Sequence, residues 1–217
     1  MLARAVAAKV VRTANDKEAS MSATTGSAGS RAASPSPRRH CFDFDLDQLG
    51  AFVSAMRGDP EAGSLTIRAS HRWDGGFAIE GRTDVAYGGA EITREHAART
   101  DWPQALGGTD SGPMAGQAGV AAVGACVATT YAAEAAMRGI EIDDLEVTVE
   151  GWVDLRGAFE LGDAPVGLSG VAITVSVAAD VDDAVLDELG DASRRSSPMY
   201  QTLANPVPVQ LGVRRQE

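Results

Sequence analysis

Cys126 is the residue in this sequence that is a candidate for thiol chemistry. Cys126 lies in a long apolar stretch rich in alanine and glycine, and Thr129 and Thr130 follow it. A thiol acts as a nucleophile only as the thiolate, which a nearby cation stabilises. The stretch offers no cation before Arg138, so an activating group would have to come from elsewhere in the fold. The alternative is a buried, unreactive thiol, the usual state of a free cysteine.

Other familiar chemistries have no matching pattern in the sequence. The histidines are far apart and have no paired cysteines, so they show no spacing typical of a zinc site; they are His40, His71 and His96. No Gly-x-Ser-x-Gly nucleophile motif is present, and the glycines before Cys126 fit neither nucleotide-binding pattern. We therefore expect no metal and no cofactor.

The composition and charge restrict the partners. The 217 residues carry a formal net charge of -11, with a pI of about 4.7. An acidic surface repels phosphate backbones and anionic lipids, so we expect no nucleic-acid and no membrane partner. The only cysteines are Cys41 and Cys126, too few for a disulfide framework, which fits a reducing compartment and predicts a cytoplasmic protein.

The first 40 residues differ from the rest. They hold both lysines of the chain and are rich in Ser, Ala, Thr, Gly and Pro, with little to bury. This composition predicts a disordered basic tail or a short leader over residues 1–40, and one domain over residues 41–217. Met21 as the true start is an open alternative.

The elements that must position Cys126 follow from periodicity and turn residues. Helices are predicted from Asp45 to Gly58, over Pro113–Arg138 with Gly139 as the C-terminal cap, and over Asp182–Arg195. Strands are predicted over Leu65–Ser70, Phe77–Thr83, Glu141–Arg156, Val171–Ala179 and Pro206–Val213, with Glu91–Thr109 as a polar connection. Together they predict an α+β fold.

The helix that carries Cys126 is apolar on nearly every face and consists largely of alanine and glycine. A helix that is apolar all round is normally buried, and small side chains let a second helix approach closely. One small domain has few elements to surround such a helix. We therefore expect a homodimer, in which the second copy supplies the missing cover.

Several motifs in order resemble the OsmC/Ohr family of thiol-dependent hydroperoxide reductases. The match begins with Leu106-Gly107-Gly108-Thr109-Asp110-Ser111-Gly112-Pro113 and continues into the helix with Gly124-Ala125-Cys126. Further matching segments follow, at 138–142, 147–151, 154–157, 195–198 and 202–207, so that the resemblance covers roughly residues 65 to 213.

The resemblance implies a fold and a chemistry. The fold is an intertwined α+β homodimer in which antiparallel sheets from both chains wrap two long central helices. The chemistry is attack of a cysteine thiolate on the peroxide O–O bond, followed by condensation of the sulfenic acid with a second cysteine. An arginine activates the first thiol, and a glutamate at the start of the central helix positions that arginine.

Carried over residue by residue, the pattern is incomplete. Cys126 matches the attacking thiol, and Arg72 is the candidate for the activating arginine. Gln117 stands at the position of the glutamate, and Ser197, before Pro198, at that of the second cysteine. Because serine forms no disulfide, an external thiol would have to reduce the sulfenic acid. Cys41 is a remote alternative for that role.

Two functions of different classes fit these residues. The first is reduction of organic hydroperoxides by Cys126 with an external thiol as reductant. The second is a non-catalytic dimer that keeps the scaffold and binds a small apolar ligand, because Gln117 and Ser197 depart from the family pattern.

Overall fold

A computed structural model describes residues 45–87, 90–91 and 95–216. The predicted tail over residues 1–40 and Cys41 lie outside the described residues. The described chain divides into two compact units. The first contains residues 148–174, and the second contains residues 45–147 and 175–216, with the gaps given above. The expectation of a single domain over residues 41–217 stays a prediction.

The second unit begins with a helix and a hairpin sheet. Helix α1 spans Leu46–Gly58, and the Asp45 carboxylate caps it by accepting from the Gln48 N–H at 2.8 Å. A short 3-10 turn follows at Pro60–Gly63. Strand β1 (Leu65–Gly75) pairs antiparallel with β2 (Ala78–Tyr87), and β2 pairs on its other side with β3 (Ala90–Glu91) and β4 (His96–Thr100).

β1 and β2 form a hairpin through Asp74-Gly75-Gly76, which lies between the strands predicted over Leu65–Ser70 and Phe77–Thr83. Gly75 and Gly76 have φ of 105° and 54°, a region that glycine occupies at no steric cost. The expectation that Glu91–Thr109 is wholly a connection was wrong, because this range contains β4 and the last residue of β3. The missed β4 is short and polar, and its pairing to β2 rather than its own pattern makes it a strand.

The long helix was predicted correctly. Helix α2 spans Ala115–Met137 and ends before Gly139, whose φ of 68° is left-handed, as a C-terminal cap requires. It packs against α4 (Asp183–Ser196) and α5 (Pro198–Ala204). Helix α5 was missed in the sequence. Its start is set by Ser197 as the cap and by Pro198 at the first helical position.

The core of the second unit lies where the C-terminal half of α2 meets α4. Its buried residues are Tyr131, Ala135, Ala136, Ile142 and Leu189, and four half-buried aliphatic residues pack against them. The Tyr131 hydroxyl donates to the Leu186 carbonyl at 3.1 Å, so the one polar atom of this aromatic residue is satisfied. Burial, together with the charge of Asp187, raises the pKa of Tyr131.

Two further strands, β5 (Asp144–Val153) and β6 (Leu168–Ala178), form a two-stranded sheet. In the first unit they are joined through α3 (Leu155–Ala158) and a tight loop, where a Cβ at Gly157 would lie 2.3 Å from the Pro165 carbonyl oxygen. The Arg156 guanidinium binds the Asp154 carboxylate and lowers its pKa.

One predicted strand is absent from the structure, and one helix is long and apolar. The predicted strand over Pro206–Val213 is not formed: these residues are exposed and have no strand partner within the described chain. Among the described residues, α2 has the length and apolar composition to cross a membrane, but the core helix of a soluble protein meets the same criteria.

Candidate functional site

Cys126 lies in the middle of α2, on the boundary between its buried and exposed faces. Its neighbours Val123 and Val127 are buried, whereas Ala122 and Ala125 are exposed in the single chain. The thiol is half-buried and is not part of a disulfide. It is therefore accessible from the face of α2 that no described element covers.

The hydroxyl groups of Thr130 and Ser193 connect the turn after Cys126 to α4. The Thr130 hydroxyl donates to the Cys126 carbonyl oxygen at 3.0 Å and lies 2.7 Å from the Ser193 hydroxyl on α4. Ser193 is buried, and its hydroxyl also lies 3.0 Å from the Val127 carbonyl oxygen, to which it can donate. These contacts tie the cysteine-bearing turn of α2 to α4.

Ser197 directly follows the last residue of α4. The Ser197 N–H donates to the Ser193 carbonyl oxygen at 2.8 Å, and the fully buried Ser197 hydroxyl accepts from the Tyr200 N–H at 3.4 Å. Ser197 is thus the N-terminal cap of α5, on the helical layer that packs against α2. Thr130 and Ser193 thus connect the backbone of Cys126 with that of Ser197, and neither the Cys126 thiol nor the Ser197 hydroxyl takes part in these contacts.

The Gln117 side chain binds a backbone amide, unlike a glutamate that pairs with an arginine. Its side-chain oxygen accepts from the Met114 N–H at 2.7 Å, which satisfies a free amide at the start of α2. Nine residues separate it from Cys126, or about 14 Å along a helix that rises 1.5 Å per residue. Gln117 is therefore a helix cap and is remote from the thiol within one chain.

Arg72 lies on β1, exposed, directly across from Glu80 on β2. That carboxylate already accepts from Arg99 at 3.1 Å, so Arg72 stands in a row of alternating charges on the sheet. Among the described residues, no hydrogen bond or ion pair joins Arg72 to Cys126 or Gln117. The single chain therefore does not bring the four candidate site residues together: Cys126 and Ser197 share one layer, and Arg72 and Gln117 lie apart.

A buried carboxylate near the start of α2 was missed in the sequence analysis. The Asp101 side chain is only 1% exposed, and it accepts from the backbone N–H groups of Trp102, Thr109 and Ser111 at 2.7, 3.1 and 3.2 Å. The hydroxyls of Thr109 and Ser111 donate to it as well. These donors, that of Thr109 first, hold the pKa of Asp101 well below its ordinary value.

The backbone of the loop around Asp101 is packed too closely to admit a side chain at Gly108 or Gly112. A Cβ at Gly108 would lie 1.8 Å from the Trp102 carbonyl oxygen, and one at Gly112 would lie 2.5 Å from that of Arg99. The glycines and hydroxyls of the Gly107–Pro113 motif are thus explained by the fold of this loop, which leads directly into α2. No group of three or more His, Cys, Asp or Glu side chains that could hold a metal occurs in the described parts of the chain.

Part of the chain resembles a known protein family. The family model described as OsmC-like protein matches residues 108–212, a segment that contains α2, Cys126 and Ser197. Over these residues the chain is similar to OsmC-like proteins. Among curated proteins, none is significantly similar to this chain.

Solved structures share the OsmC-like fold. An OsmC-like protein from Mycoplasma pneumoniae is 18% identical, with 66% of this chain and 89% of that chain covered and a TM-score of 0.51. An organic hydroperoxide resistance protein OsmC from Legionella pneumophila is 16% identical, with coverage of 64% and 88% and a TM-score of 0.45. At 18% identity, the likeness to the Mycoplasma pneumoniae protein shows the fold and not the activity.

Proposed function

We propose that this OsmC-like protein reduces organic hydroperoxides through Cys126. The observation that carries the proposal is that Cys126 is half-buried, outside any disulfide and next to the exposed Ala122 and Ala125 of α2. It lies within the segment that matches the OsmC-like family model, and the resemblance assigns it as the attacking thiol. In the reaction the Cys126 thiolate attacks one oxygen of ROOH, the O–O bond breaks, and the alkoxide leaves as ROH after taking up a proton. The product on the protein is a sulfenic acid.

The reductant must come from outside the chain. Ser197 stands where the family has its second cysteine, and it is buried as the cap of α5. Two external thiols therefore reduce the sulfenic acid: they become a disulfide, water leaves, and Cys126 returns to the thiol. The reducing cytoplasm, which we propose as the location, supplies such thiols.

A homodimer is part of this proposal. In the single chain, the small residues on one side of the N-terminal half of α2 are exposed; they are Ala115, Gly119, Ala122, Ala125 and Thr129. Two such faces packed together would bury both helices beside the two thiols. A second copy would also offer an Arg72 to a site that lacks an arginine within one chain.

The experiment is turnover of cumene hydroperoxide with dithiothreitol, compared between the protein and its Cys126→Ser variant. We expect turnover that the substitution abolishes while the circular dichroism spectrum is unchanged. Turnover retained in Cys126→Ser would contradict the proposal.

A second function is favoured by how Gln117 and Ser197 are used. Both side chains cap helices, and neither is placed to assist a reaction at Cys126 within the chain. A scaffold that binds a small apolar ligand needs only the uncovered apolar side of α2. Tight binding of such a ligand without peroxide turnover would support this alternative.

A further inference from the structure

A groove of about 340 Å³ lies between α1 and the C-terminal end of α2. Its apolar wall consists of Leu46, Leu49, Val53 and Met137. The three α1 residues recur at spacings of three and four, so they form one stripe along that helix. No residue of α1 is buried, and Leu46 and Met137 are 38% and 55% exposed. The apolar stripe of α1 is therefore open along this groove.

Gly50 lines the groove and gives it space. It lies one turn after Leu46 in the stripe, and a Cβ there would have no atom within 4 Å. Glycine inside a helix is destabilising relative to alanine, and Gly50 does not have the positive φ that would require glycine. The missing side chain at Gly50 therefore widens the groove without serving the backbone of α1.

One end of the groove is positively charged. Arg57 lines it in the last turn of α1, and Ser54 lies one turn earlier on the same face. Arg57 is exposed, and no hydrogen bond or ion pair joins its guanidinium to another described residue. A guanidinium donates two parallel N–H groups to a carboxylate, and a serine hydroxyl supplies a further donor. A carboxylate is therefore the head group that fits this end.

The length and polarity of the groove suit an acyl chain. From Leu46 to Arg57, α1 rises about 16 Å at 1.5 Å per residue. The apolar side chains come first and the cation last, which matches a hydrocarbon chain that ends in an anion. Helix α1 lies before residues 108–212, so the similarity of that segment to OsmC-like proteins does not account for the groove.

We propose that the groove between α1 and α2 binds a medium-chain fatty acid, with its carboxylate on Arg57 and its hydrocarbon chain against the apolar wall. The first 40 residues of the chain are a poorer occupant, because they are basic and Arg57 repels them. Met137 lies about 16 Å along α2 from Cys126, so this site is distinct from that of the proposed peroxide reduction.

Isothermal titration calorimetry of the full-length protein with decanoate and with decanol, its uncharged analogue, tests this site. We expect decanoate to bind at least about fivefold more tightly than decanol, because only the carboxylate accepts charge-assisted hydrogen bonds from Arg57. Arg57→Gln should remove this difference by weakening decanoate alone. The matched control is Arg82→Gln, at an exposed arginine of β2, which should change neither affinity by more than about twofold.

Gly50→Leu tests the apolar part of the groove. Leucine favours a helix over glycine and a Cβ at this position has free space, so the variant should fold, as circular dichroism would show. Its side chain fills the groove, and we expect it to weaken both ligands at least about tenfold.

Two results would overturn the proposal. One is that decanoate does not bind the full-length protein, as expected if the first 40 residues or a second copy cover the groove. The other is that decanoate binds with an affinity that Arg57→Gln and Gly50→Leu leave unchanged, which would place it elsewhere. Neither measurement uses Cys126, so failed peroxide turnover would count against the proposed activity alone.

Discussion

At the scale of single residues, Ser197 and its neighbour Ser196 differ in burial, and this difference allows a test of whether residue 197 faces Cys126. Ser197 is fully buried on the layer that packs against α2, whereas Ser196 is exposed. If residue 197 faces Cys126, Ser197→Cys restores an internal resolving thiol. We expect peroxide treatment of this variant to give a Cys126–residue 197 disulfide and faster turnover with a dithiol. Ser196→Cys is the matched control, and mass spectrometry of the disulfide-linked peptides is the measurement. Unchanged turnover and no linked peptide would place the two positions out of register.

Asp101 is the residue whose protonation most affects the loop before α2. Its pKa is lowered in the folded protein, so the stability it contributes is present above the ordinary value of 3.8 and is lost as the pH falls below it. We therefore expect the free energy of unfolding to fall steeply between about pH 4 and pH 2. Asp101→Asn should make that fall shallower.

Urea unfolding at a series of pH values checks this dependence, with the exposed Asp110→Asn as the matched control. Equal slopes in Asp101→Asn and the original protein would show that Asp101 is not the titrating group.

At the scale of elements, the loop that precedes α2 depends on close backbone contacts. Gly108→Ala would place a Cβ 1.8 Å from the Trp102 carbonyl oxygen, so backbone atoms must shift. We expect a loss of about 1–3 kcal/mol in the free energy of unfolding, as for other overpacked sites. Gly190→Ala in α4 is the matched control, since a Cβ there has nothing within 4 Å.

Because alanine favours a helix over glycine, Gly190→Ala should instead stabilise by about 0.5–1 kcal/mol. Denaturant unfolding distinguishes the two outcomes. A neutral Gly108→Ala variant would show that the loop is looser than its contacts indicate.

The elements also show what periodicity could and could not predict. Helices α1, α2 and α4 and the β1–β2 hairpin follow from apolar spacing and turn residues, and the structure confirms them. Strand β4 and helix α5 were missed, because the first depends on pairing to β2 and the second on a cap at Ser197. Apart from the N–H of the adjacent Trp102, the donors that surround Asp101 come from residues eight and ten positions away, so only the folded loop reveals that site.

At the scale of the whole molecule, the exposed apolar side of α2 is the surface through which we propose that two copies form a dimer. A charge on the exposed side of α2 would be buried and unpaired in a dimer that packs these faces together. We expect Ala122→Glu to shift the protein to monomers in sedimentation velocity, and Ala184→Glu, on the exposed surface of α4, to leave the dimer intact. Identical behaviour of the two variants would place the interface elsewhere.

The four candidate site residues are not brought together within one chain. Cys126 as the attacking thiol stays a prediction, and its activating partner could not be found from spacing within one chain. Arg72 lies on an exposed strand and Gln117 caps a helix. A site shared between two chains leaves no signature in the order of residues along either of them.

The central claim is that Cys126 reacts with a hydroperoxide, and its oxidation state after one turnover tests this most directly. The protein is treated with one equivalent of cumene hydroperoxide and no reductant, and the peptide that carries Cys126 is analysed by mass spectrometry. The account predicts a sulfenic acid on Cys126 and consumption of one equivalent of peroxide. The sulfenic acid is detected as a gain of one oxygen or, when dimedone is present, as the dimedone thioether that forms with loss of water. An unmodified Cys126 peptide beside intact peroxide would contradict it.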